Sequence, residues 1–292
     1  MAQILILGGG AAGLAAALAA AQTDPAARVT VLERNPRCGK KLLATGNGRC
    51  NLDNLGLAPE GFSSADPRAL EALLAQVNAA DPLGWFQSLG LYPRADEAGR
   101  VYPYSNQAAD VLALLEHHLA RRAVTLLTGC TVQTLSQSRG GYVVLYTDPE
   151  GATQSLRADA VICALGGSAG PQFGTDGFGP RFAAQCGGAL APLYPCLTAL
   201  QCARPDKTLA GIRAKVHAAL LEGDRLLAQD QGEVQFTDYG LSGICIMDLT
   251  RFLTPAVKAP AVVLDLFPQL PEETLTQLLQ SRVPLLAGDR AA

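Results

Sequence analysis

The hydrophobic pattern at the start of the chain predicts a strand, a helix and a second strand. Residues 4–7 are all aliphatic, as is typical of a strand buried on both faces of a parallel sheet. A glycine-rich stretch follows, and an Ala/Leu-rich helix is predicted over residues 14–21. A second apolar run, residues 29–32, ends at Glu33. This order predicts a βαβ unit and therefore an α/β domain with a parallel sheet.

After the second strand, the positions of apolar residues predict several helices and then short strands through residue 165. Asp66 and Asp81 each precede a proline, and this pairing of an N-cap with a first-turn proline predicts the start of a helix. A further amphipathic helix is predicted over residues 110–122. Short strands then form a β-meander between the third parallel strand and a buried strand at the end of the segment. The predicted strands are 124–128, 131–135, 142–147, 154–157 and 160–165.

The pattern of apolar residues changes after residue 188 and predicts a second, mainly β domain. The triplet Glu222-Gly223-Asp224 is typical of a hairpin turn, and the apolar runs around it are short. We place the boundary so that residues 1–192 form the first domain and residues 193–292 a domain inserted into it. Strands are predicted at 197–200, 214–221, 225–228, 233–236 and 261–266, and helices at 241–252 and 272–282.

Composition narrows the possible classes of protein. The 292 residues are 49% hydrophobic and 17% charged, with a formal net charge of −3, which excludes a disordered chain and disfavours nucleic acid as a partner. The eight cysteines are scattered without a CxxC pair, and the three histidines have no zinc-like spacing. We therefore expect reduced thiols, no bound metal, no disulfide-reductase chemistry and a cytoplasmic location.

The apolar stretch over residues 4–21 has two interpretations. Its length approaches that of a minimal membrane span. Only Met-Ala-Gln precedes it, however, and it consists largely of alanine and glycine, which drive membrane insertion weakly. The other interpretation, a strand and a helix joined by a glycine-rich turn, accounts for the glycines as well, so no membrane partner is expected.

The glycine turn, residues 8–13, has the spacing of a dinucleotide-binding fingerprint. Gly8 permits the tight turn, Gly10 lets the backbone approach a pyrophosphate, and Gly13 lets helix and strand pack closely. The amide groups that begin the helix, including those of Ala11 and Ala12, attract phosphate. Glu33, twenty positions beyond Gly13, is placed to bind the adenosine ribose.

The basic loop, residues 40–51, follows the second strand and contains Lys40, Lys41 and Arg49 among glycines. Such a loop lies over a bound dinucleotide or, in the simpler interpretation, is only a solvated basic segment. Gly166 and Gly167 follow the buried strand at 160–165, at the sheet edge where open α/β folds bind ligands.

Two further segments, one aromatic and one acidic, have either a ligand-binding or a structural interpretation. Arg100, Tyr102 and Tyr104 are either a pocket wall or an aromatic pair buried beneath a loop. Asp176 lies near a ligand or caps the helix that follows it.

The segment Gly39-Lys-Lys through Gly48-Arg-Cys-Asn51 resembles the signature of a bacterial NAD(P)/FAD-dependent oxidoreductase family, aminoacetone-oxidase-like or BaiN-like flavoproteins. Later segments resemble the family in the same order: residues 99–108, 164–168 and 236–243. The resemblance implies a Rossmann-like two-dinucleotide-binding FAD domain, with Val132 meeting the adenine through its backbone. The cofactor-binding residues that it implies, together with the fingerprint, are Gly8, Gly10, Ala11, Ala12, Gly13, Glu33, Arg34, Lys40, Lys41, Thr45, Gly46, Asn47, Arg49, Cys50, Asn51, Val132, Ala164, Gly166 and Gly167.

By this resemblance the protein is expected to be an FAD-dependent oxidoreductase acting on a small organic substrate. The flavin itself carries the chemistry, so no side chain is assigned as catalytic, and NAD(P)H is expected as a transient reductant. An NAD-dependent dehydrogenase shares the glycine turn but leaves the basic loop and the meander unexplained. The substrate and the oligomeric state are left open.

The end of the chain departs from the family pattern. The family continues with a C-terminal segment that returns to the first domain and completes the flavin pocket, and the sequence ends at Ala292 without it. We therefore expect an intact adenosine and phosphate half-site and an incomplete flavin half-site. The alternative function is a non-catalytic, dinucleotide-binding remnant of the family.

Overall fold

The computed structural model describes residues 1–62, 64 and 66–288, and the chain divides into two compact units, Met1–Ala191 and Pro192–Ala292. The strands of the first unit are β1 (Gln3–Leu7), β2 (Arg28–Glu33), β3 (Asp53–Asn54), β4 (Pro93–Ala95), β5 (Arg100–Pro103), β6 (Thr125–Thr128), β7 (Thr131–Ser138), β8 (Gly141–Thr147), β9 (Thr153–Ala158) and β10 (Ala160–Cys163). Its helices are α1 (Ala11–Thr23), α2 (Pro67–Ala79), α3 (Pro82–Ser88), α4 (Ala108–Arg121) and α5 (Phe178–Gln185).

The predicted parallel sheet is confirmed. Its four strands run in the order β10-β1-β2-β6, with β1 paired in parallel to both β10 and β2. Side chains of a strand alternate between the two faces, and β1 is buried on both of them. Ile6 joins a core formed with α1 and α4, whereas Leu5 and Leu7 join a core formed with the meander and α5. Burial on both faces explains the unbroken apolar run in the sequence.

The predicted β-meander is also confirmed, as the antiparallel sheet β7-β8-β9 between β6 and β10. Hydrogen bonds at the end of β2 hold the entrance to this meander. The amide N–H of Cys130 donates to the carbonyl oxygen of Glu33 at 2.9 Å, and that of Gly129 donates to the carbonyl oxygen of Asn35 at 3.0 Å. The first residues of the meander are thereby fixed beside the carboxyl end of β2.

Two helix starts follow the capping chemistry predicted from the sequence. The carboxylates of Asp66 and Asp81 accept hydrogen bonds from Ala69 N at 3.0 Å and from Gly84 N at 2.9 Å, and so cap α2 and α3. Helix α1 begins after Gly10 without a side-chain cap or an acidic residue in its first turn. The apolar stretch over residues 4–21 therefore contains a strand, a turn and a helix, as predicted. Among the described residues no helix is long and apolar enough to cross a membrane.

The second unit is built around an antiparallel sheet. Its elements are β11 (Leu200–Gln201), β12 (Arg213–Glu222), β13 (Arg225–Phe236), β14 (Gly240–Ser242), α6 (Ile244–Leu249), β15 (Pro260–Asp265) and α7 (Glu272–Gly288). The sheet order is β11-β14-β13-β12-β15. Val216, Leu220 and Val234 on one face of the sheet pack with Ile246 and Leu249 of α6. The hairpin predicted at residues 222–224 joins β12 to β13.

Several predicted boundaries in the second unit were wrong. The strands predicted at 225–228 and 233–236 are one continuous strand, β13, because it pairs with β12 along its whole length. The strand predicted at 197–200 is reduced to β11, and Leu197 has a positive φ of 53°. The helix predicted from residue 241 begins at Ile244, since Leu241 pairs with Leu200 and Phe236 as part of β14.

Candidate functional site

The three fingerprint glycines are required for different reasons. Gly8 has a φ of +105°, and a side chain there would strike the carbonyl group of Ala164. A Cβ atom on Gly13 would overlap the carbonyl oxygen of Gly8. At Gly10, no heavy atom lies within 4 Å of the position that a Cβ atom would take. The first and third glycines are therefore fixed by the packing of the chain on itself, and the second faces open space where a ligand can approach.

Helix α1 begins beside the open space at Gly10, and no side chain caps its N-terminus. The first amide groups of a helix have no intrahelical acceptor, and Gly10 supplies no side-chain cap. Ala11 and Ala12, which follow it, line the cavity described below. Free N–H groups and the positive end of the helix dipole suit the pyrophosphate of a dinucleotide.

Glu33, at the end of β2, is held by its neighbours on both carboxylate oxygens. The side chain is only 7% exposed. Its Oε2 accepts a hydrogen bond from Gly9 N at 2.7 Å, and its Oε1 accepts two from Asn35, from the backbone N at 2.7 Å and from Nδ2 at 2.6 Å. A carboxylate has about four acceptor positions, so one is left for a ribose hydroxyl. Glu33 also fixes the glycine turn to β2, a role that its position in the sequence did not predict.

A cavity of about 640 Å³ lies at the carboxyl edge of the parallel sheet, within the first unit. This is within the roughly 300–1,000 Å³ of small-molecule and cofactor sites. The cavity brings together predicted residues from the glycine turn, β2, the basic loop, the meander and the turn after β10. Those that line it are Gly8, Gly10, Ala11, Ala12, Glu33, Arg34, Lys40, Lys41, Thr45, Cys50, Asn51, Val132, Ala164 and Gly166.

Five predicted residues do not line this cavity: Gly13, Gly46, Asn47, Arg49 and Gly167. Gly13 supports the turn from behind. Arg49 turns toward its own loop, where its guanidinium stacks on the Tyr102 ring at 4.4 Å from the centroid and Nε donates to the carbonyl oxygen of Gly46 at 3.0 Å. The direct contact predicted between Arg49 and a cofactor stays a prediction, and the structure gives this side chain a different neighbour.

The basic loop is folded by side chains and unusual backbone angles. It begins as a short 3-10 helix, Leu42–Gly48, that is interrupted at residues 45–47, where Gly46 and Asn47 both have a φ of 57°. The hydroxyl of Thr45 donates to Leu42 O at 2.6 Å, and Cys50 N donates to Thr45 O at 3.0 Å. This reversal returns the chain to the cavity at Cys50 and Asn51.

A second loop, residues 164–178, covers the cavity from the side of β10. Lys41 Nζ donates to the carbonyl oxygen of Ala169 at 2.6 Å. Arg34 donates to the carboxylate of Asp176 at 3.0 Å and also to the carbonyl oxygen of Gly174. Two basic side chains predicted at the cofactor thus tie this loop to β2 and to the basic loop.

Asp176 caps the helix that follows it, and its position near a ligand stays a prediction. Asp176 lines the cavity, and its Oδ1 accepts a hydrogen bond at 2.9 Å from the N–H of Phe178, the first residue of α5. Hydrogen bonding from Arg34 and from that amide lowers the pKa of the Asp176 carboxyl below its ordinary value. The group is therefore ionised at neutral pH.

Neither alternative describes Arg100, Tyr102 and Tyr104 as a group, although Tyr104 lines a smaller cavity of about 360 Å³. Arg100 forms an exposed ion pair with Asp96 at 2.9 Å, and Tyr102 is buried beneath Arg49. Tyr104 is 62% exposed and packs edge-on against Tyr92. None of the three lines the cavity at the sheet edge, because β5 turns Tyr102 inward and its end carries Tyr104 to the surface.

One part of the cavity, which we call the apolar end, contains residues that the sequence did not predict as site residues. Trp85 and Phe86 lie on α3 with their rings 4.9 Å apart in an edge-on arrangement. The available signals were the helix start at Asp81 and the fact that Trp85 is the only tryptophan, but helical spacing alone indicates only core packing. The apolar end comprises Ala15, Leu52, Pro82, Trp85, Phe86, Val111 and Leu115.

The cysteines near the cavity are unreactive thiols. All eight cysteines are free. Burial, with the nearby carboxylates of Glu33 and Glu116, raises the pKa of the Cys38 thiol from 9.0 to about 12. Burial also raises the pKa of Cys50. Both thiols are protonated at neutral pH, so neither is a nucleophile. In the part of the chain that the structure describes, no cluster of histidine, cysteine or acidic residues is arranged to hold a metal ion.

The parallel sheet, the glycine turn and the cavity beside it define a Rossmann-like nucleotide-binding protein. The family model described as HI0933-like protein Rossmann domain matches residues 2–243. The chain belongs to this family, which confirms the family assignment made from the sequence motifs.

Curated relatives cover nearly the whole chain. A 3-dehydro-bile acid delta(4,6)-reductase of Clostridium scindens is 39% identical over 274 residues, 92% of this chain and 66% of that protein. A ribosomal RNA dihydrouridine synthase of Haemophilus influenzae is 26% identical over 281 residues, 95% of this chain and 67% of that protein. The chain thus spans about two thirds of the length of these relatives.

A solved structure, the open conformation of a flavocytochrome c3 fumarate reductase, aligns with 63% of this chain and 40% of its own length, at 18% identity and a TM-score of 0.48.

Proposed function

We propose that the cavity at the glycine turn binds FAD and that the protein is a flavin-dependent oxidoreductase. The observation that carries this proposal is the open space before Gly10, which the uncapped N-terminus of α1 faces. The chain fits the group at this point, because a pyrophosphate needs a close backbone approach and amide donors. Membership of the HI0933-like Rossmann family supports the same assignment.

A cofactor with an adenosine half fits this site better than FMN. Glu33 keeps one acceptor position for a ribose hydroxyl, and its negative charge disfavours a 2′-phosphate. The entrance to the meander, which Glu33 and Asn35 hold by backbone hydrogen bonds, puts Val132 on the cavity wall. We propose that this backbone meets the adenine. The other predicted residues that line the cavity complete the proposed cofactor site.

We further propose that the reaction is the reduction of an activated carbon–carbon double bond. The names of both curated relatives describe such a reduction, one of a bile acid and one of a uridine. When bound, a flavin supplies two-electron redox chemistry. The chain's own residues bind and orient the cofactor, and hydrogen bonds from Lys41 and Arg34 hold the loop 164–178 at the cavity.

The remaining parts of the proposal concern partners and organisation. NAD(P)H is the proposed reductant and a small organic molecule the proposed substrate, in the cytoplasm. The net charge of −3 gives no general attraction for RNA, and the relative named for a bile acid is more similar than the one named for ribosomal RNA. We also propose residues 1–192 as the cofactor-binding domain and residues 193–292 as a second domain, a division that the two compact units support.

The decisive experiment identifies the cofactor and then its reactivity. Cofactor released by heating the purified chain is separated by chromatography, and we expect FAD rather than FMN or NAD. The FAD-loaded chain is then reduced by NADH or NADPH without oxygen and mixed with an α,β-unsaturated ketone. Reoxidation by the ketone is the expected result. Recovery of FMN alone contradicts the assigned cofactor, and FAD that is bound but never reduced or reoxidised favours the non-catalytic remnant.

A further inference from the structure

Two exposed cysteines of the first unit lie on surfaces that face each other, one on β10 and one at the end of α5. Cys163, the last residue of β10, is paired in register with Leu7 of β1. Residues paired in this way point to the same face of a sheet. Leu7 belongs to the core formed with the meander and α5, so Cys163 lies on the face that α5 covers. It remains accessible because β10 is an edge strand.

Cys186 follows α5 directly and continues the row of side chains that α5 turns toward this face. Phe178, Phe182 and Cys186 are spaced four positions apart, and residues so spaced lie on one side of a helix. Phe178 and Phe182 pack into the core on this face of the sheet. The same core includes Val161, two residues before Cys163, so α5 runs back along β10.

The two cysteines also lie at about the same level along the sheet. The start of α5 touches the chain just beyond β10, because a Cβ atom on Gly179 would overlap the carbonyl oxygen of Gly166. From this contact, three residues lead back to Cys163, about 10 Å at the rise of a strand. Seven residues lead forward to Cys186, about 10 Å at the rise of a helix. The antiparallel course of α5 therefore brings the two thiols beside each other.

The electrostatics of Cys163 agree with this proximity. Partial burial raises the pKa of the Cys163 thiol above its ordinary value, and the neighbouring Cys186 raises it further. Cys163 is therefore protonated at neutral pH and is a slow nucleophile by itself. An oxidant is expected to react first with Cys186.

We propose that Cys163 and Cys186 are a redox modification site, at which hydrogen peroxide converts the two thiols into a disulfide. The Cys186 thiolate attacks the peroxide, the O–O bond breaks, and a sulfenic acid forms as one water leaves. The Cys163 thiol then attacks that sulfur, the S–S bond forms, and the sulfenic oxygen leaves as a second water. Overall the two thiols lose two electrons and two protons, and the peroxide is reduced to two molecules of water.

The disulfide joins both ends of the segment that contains the loop 164–178. Ala164, next to Cys163, and Phe178, at the start of α5, both line the cavity. A disulfide stabilises a fold chiefly by restricting the unfolded chain, and the effect grows with the length of the closed loop. For a loop of this size we expect the melting temperature to rise by roughly 5 °C on oxidation.

The test uses the purified chain at low concentration, so that bonds within one molecule are favoured. The reduced chain is treated with hydrogen peroxide, and its thiols are counted in denaturant with a chromogenic thiol reagent. We expect the count to fall from eight to six. Tryptic digestion without reduction, followed by mass spectrometry, should then show the peptide of Cys163 joined to the peptide of Cys186.

Single variants identify the partner of Cys163. Residues 182–203 contain no lysine or arginine, so one tryptic peptide carries Cys186, Cys196 and Cys202. Cys186→Ser and Cys163→Ser should each abolish the joined peptide and the rise in melting temperature. Cys196→Ser, at an exposed cysteine of the second unit, should leave both unchanged.

The inference is overturned if peroxide leaves all eight thiols free, or if the joined peptide persists in Cys186→Ser. It is also overturned if the bond forms only between two copies of the chain, which size-exclusion chromatography without reductant would show as a dimer. Accumulation of Cys186 as a sulfinic acid beside a reduced Cys163 has the same meaning, because a thiol within reach traps the sulfenic acid. None of these measurements depends on the proposed cofactor.

Discussion

The glycine turn and the basic loop both bring backbone to the cavity, but they are held in place differently. In the glycine turn, a Cβ atom added at Gly8 or Gly13 would overlap backbone carbonyl groups. In the basic loop, the reversal depends on the side chains of Thr45, Arg49 and Tyr102. The glycine turn requires the absence of side chains at Gly8 and Gly13. The basic loop instead combines a positive φ at Gly46 with the contacts of these side chains.

This difference has a consequence for mutation. Backbone packing has no flexible partner that can move aside, so we expect substitutions in the glycine turn to cost several kcal/mol. A side chain that stacks on a ring at the edge of a loop is worth about 1 kcal/mol or less. The predictions below test this ranking, beginning with the largest expected effect.

Gly13→Ala should be the most damaging substitution. Its Cβ atom would overlap the carbonyl oxygen of Gly8, and separating α1 from β1 should lower the free energy of unfolding by about 3 kcal/mol or more. Urea denaturation measures the loss. Gly10→Ala is the matched control, because its Cβ atom meets open space; we expect it to cost less than about 1 kcal/mol in stability but to weaken FAD binding. Equal stability of the two variants would contradict the assigned packing role.

Glu33→Gln should have the next largest effect. The amide cannot accept hydrogen bonds on both of its terminal atoms, so a donor on Gly9 or Asn35 loses its acceptor in a buried site. We expect a loss of about 2 kcal/mol in the free energy of unfolding together with weaker FAD binding. Glu150→Gln, at an exposed position in a hairpin turn, is the control. A variant that loses FAD affinity with unchanged stability would restrict Glu33 to ligand binding.

Stability at high pH should depend on Cys38, which packs against Gly9. The folded thiol keeps its proton up to a pKa of about 12, whereas the unfolded thiol ionises near 9. Its contribution to stability is complete below pH 9 and is lost as the pH rises toward 12, by about 1.4 kcal/mol per pH unit. Unfolding of wild type and Cys38→Ala measured over this range should give curves that converge as the pH rises. Parallel curves would mean that Cys38 titrates normally.

Arg49→Ala should have the smallest effect of the four. If Arg49 acts by holding Gly46 and stacking on Tyr102, its loss should weaken FAD retention about fivefold, equivalent to about 1 kcal/mol. Tyr102→Leu should have a similar effect, and the double variant should be little worse than either single one. Additive losses would instead indicate that Arg49 contacts the cofactor directly.

The sequence predicted the elements that depend on local patterns. Strands β1 and β2, helices α2 and α3 and the meander follow from apolar runs, proline positions and turn residues. The glycine spacing and Glu33 identified the carboxyl edge of the sheet, where most of the predicted site residues line one cavity. These features depend on residues that are close in sequence, so their pattern is visible without the fold.

Contacts between distant residues decided the rest. Arg49 was predicted at the cofactor because it is basic and lies among glycines, yet Tyr102, 53 positions away, provides its stacking partner. Trp85 and Phe86 have the spacing of ordinary core residues, and only the packing of α3 against α1 and α4 puts them beside the glycine turn. The sequence by itself determined the strand, turn and helix at the start of the chain and the chemistry of the glycine turn. The tertiary structure decided which side chains face the cavity, because that depends on helix packing and on burial that no local pattern encodes.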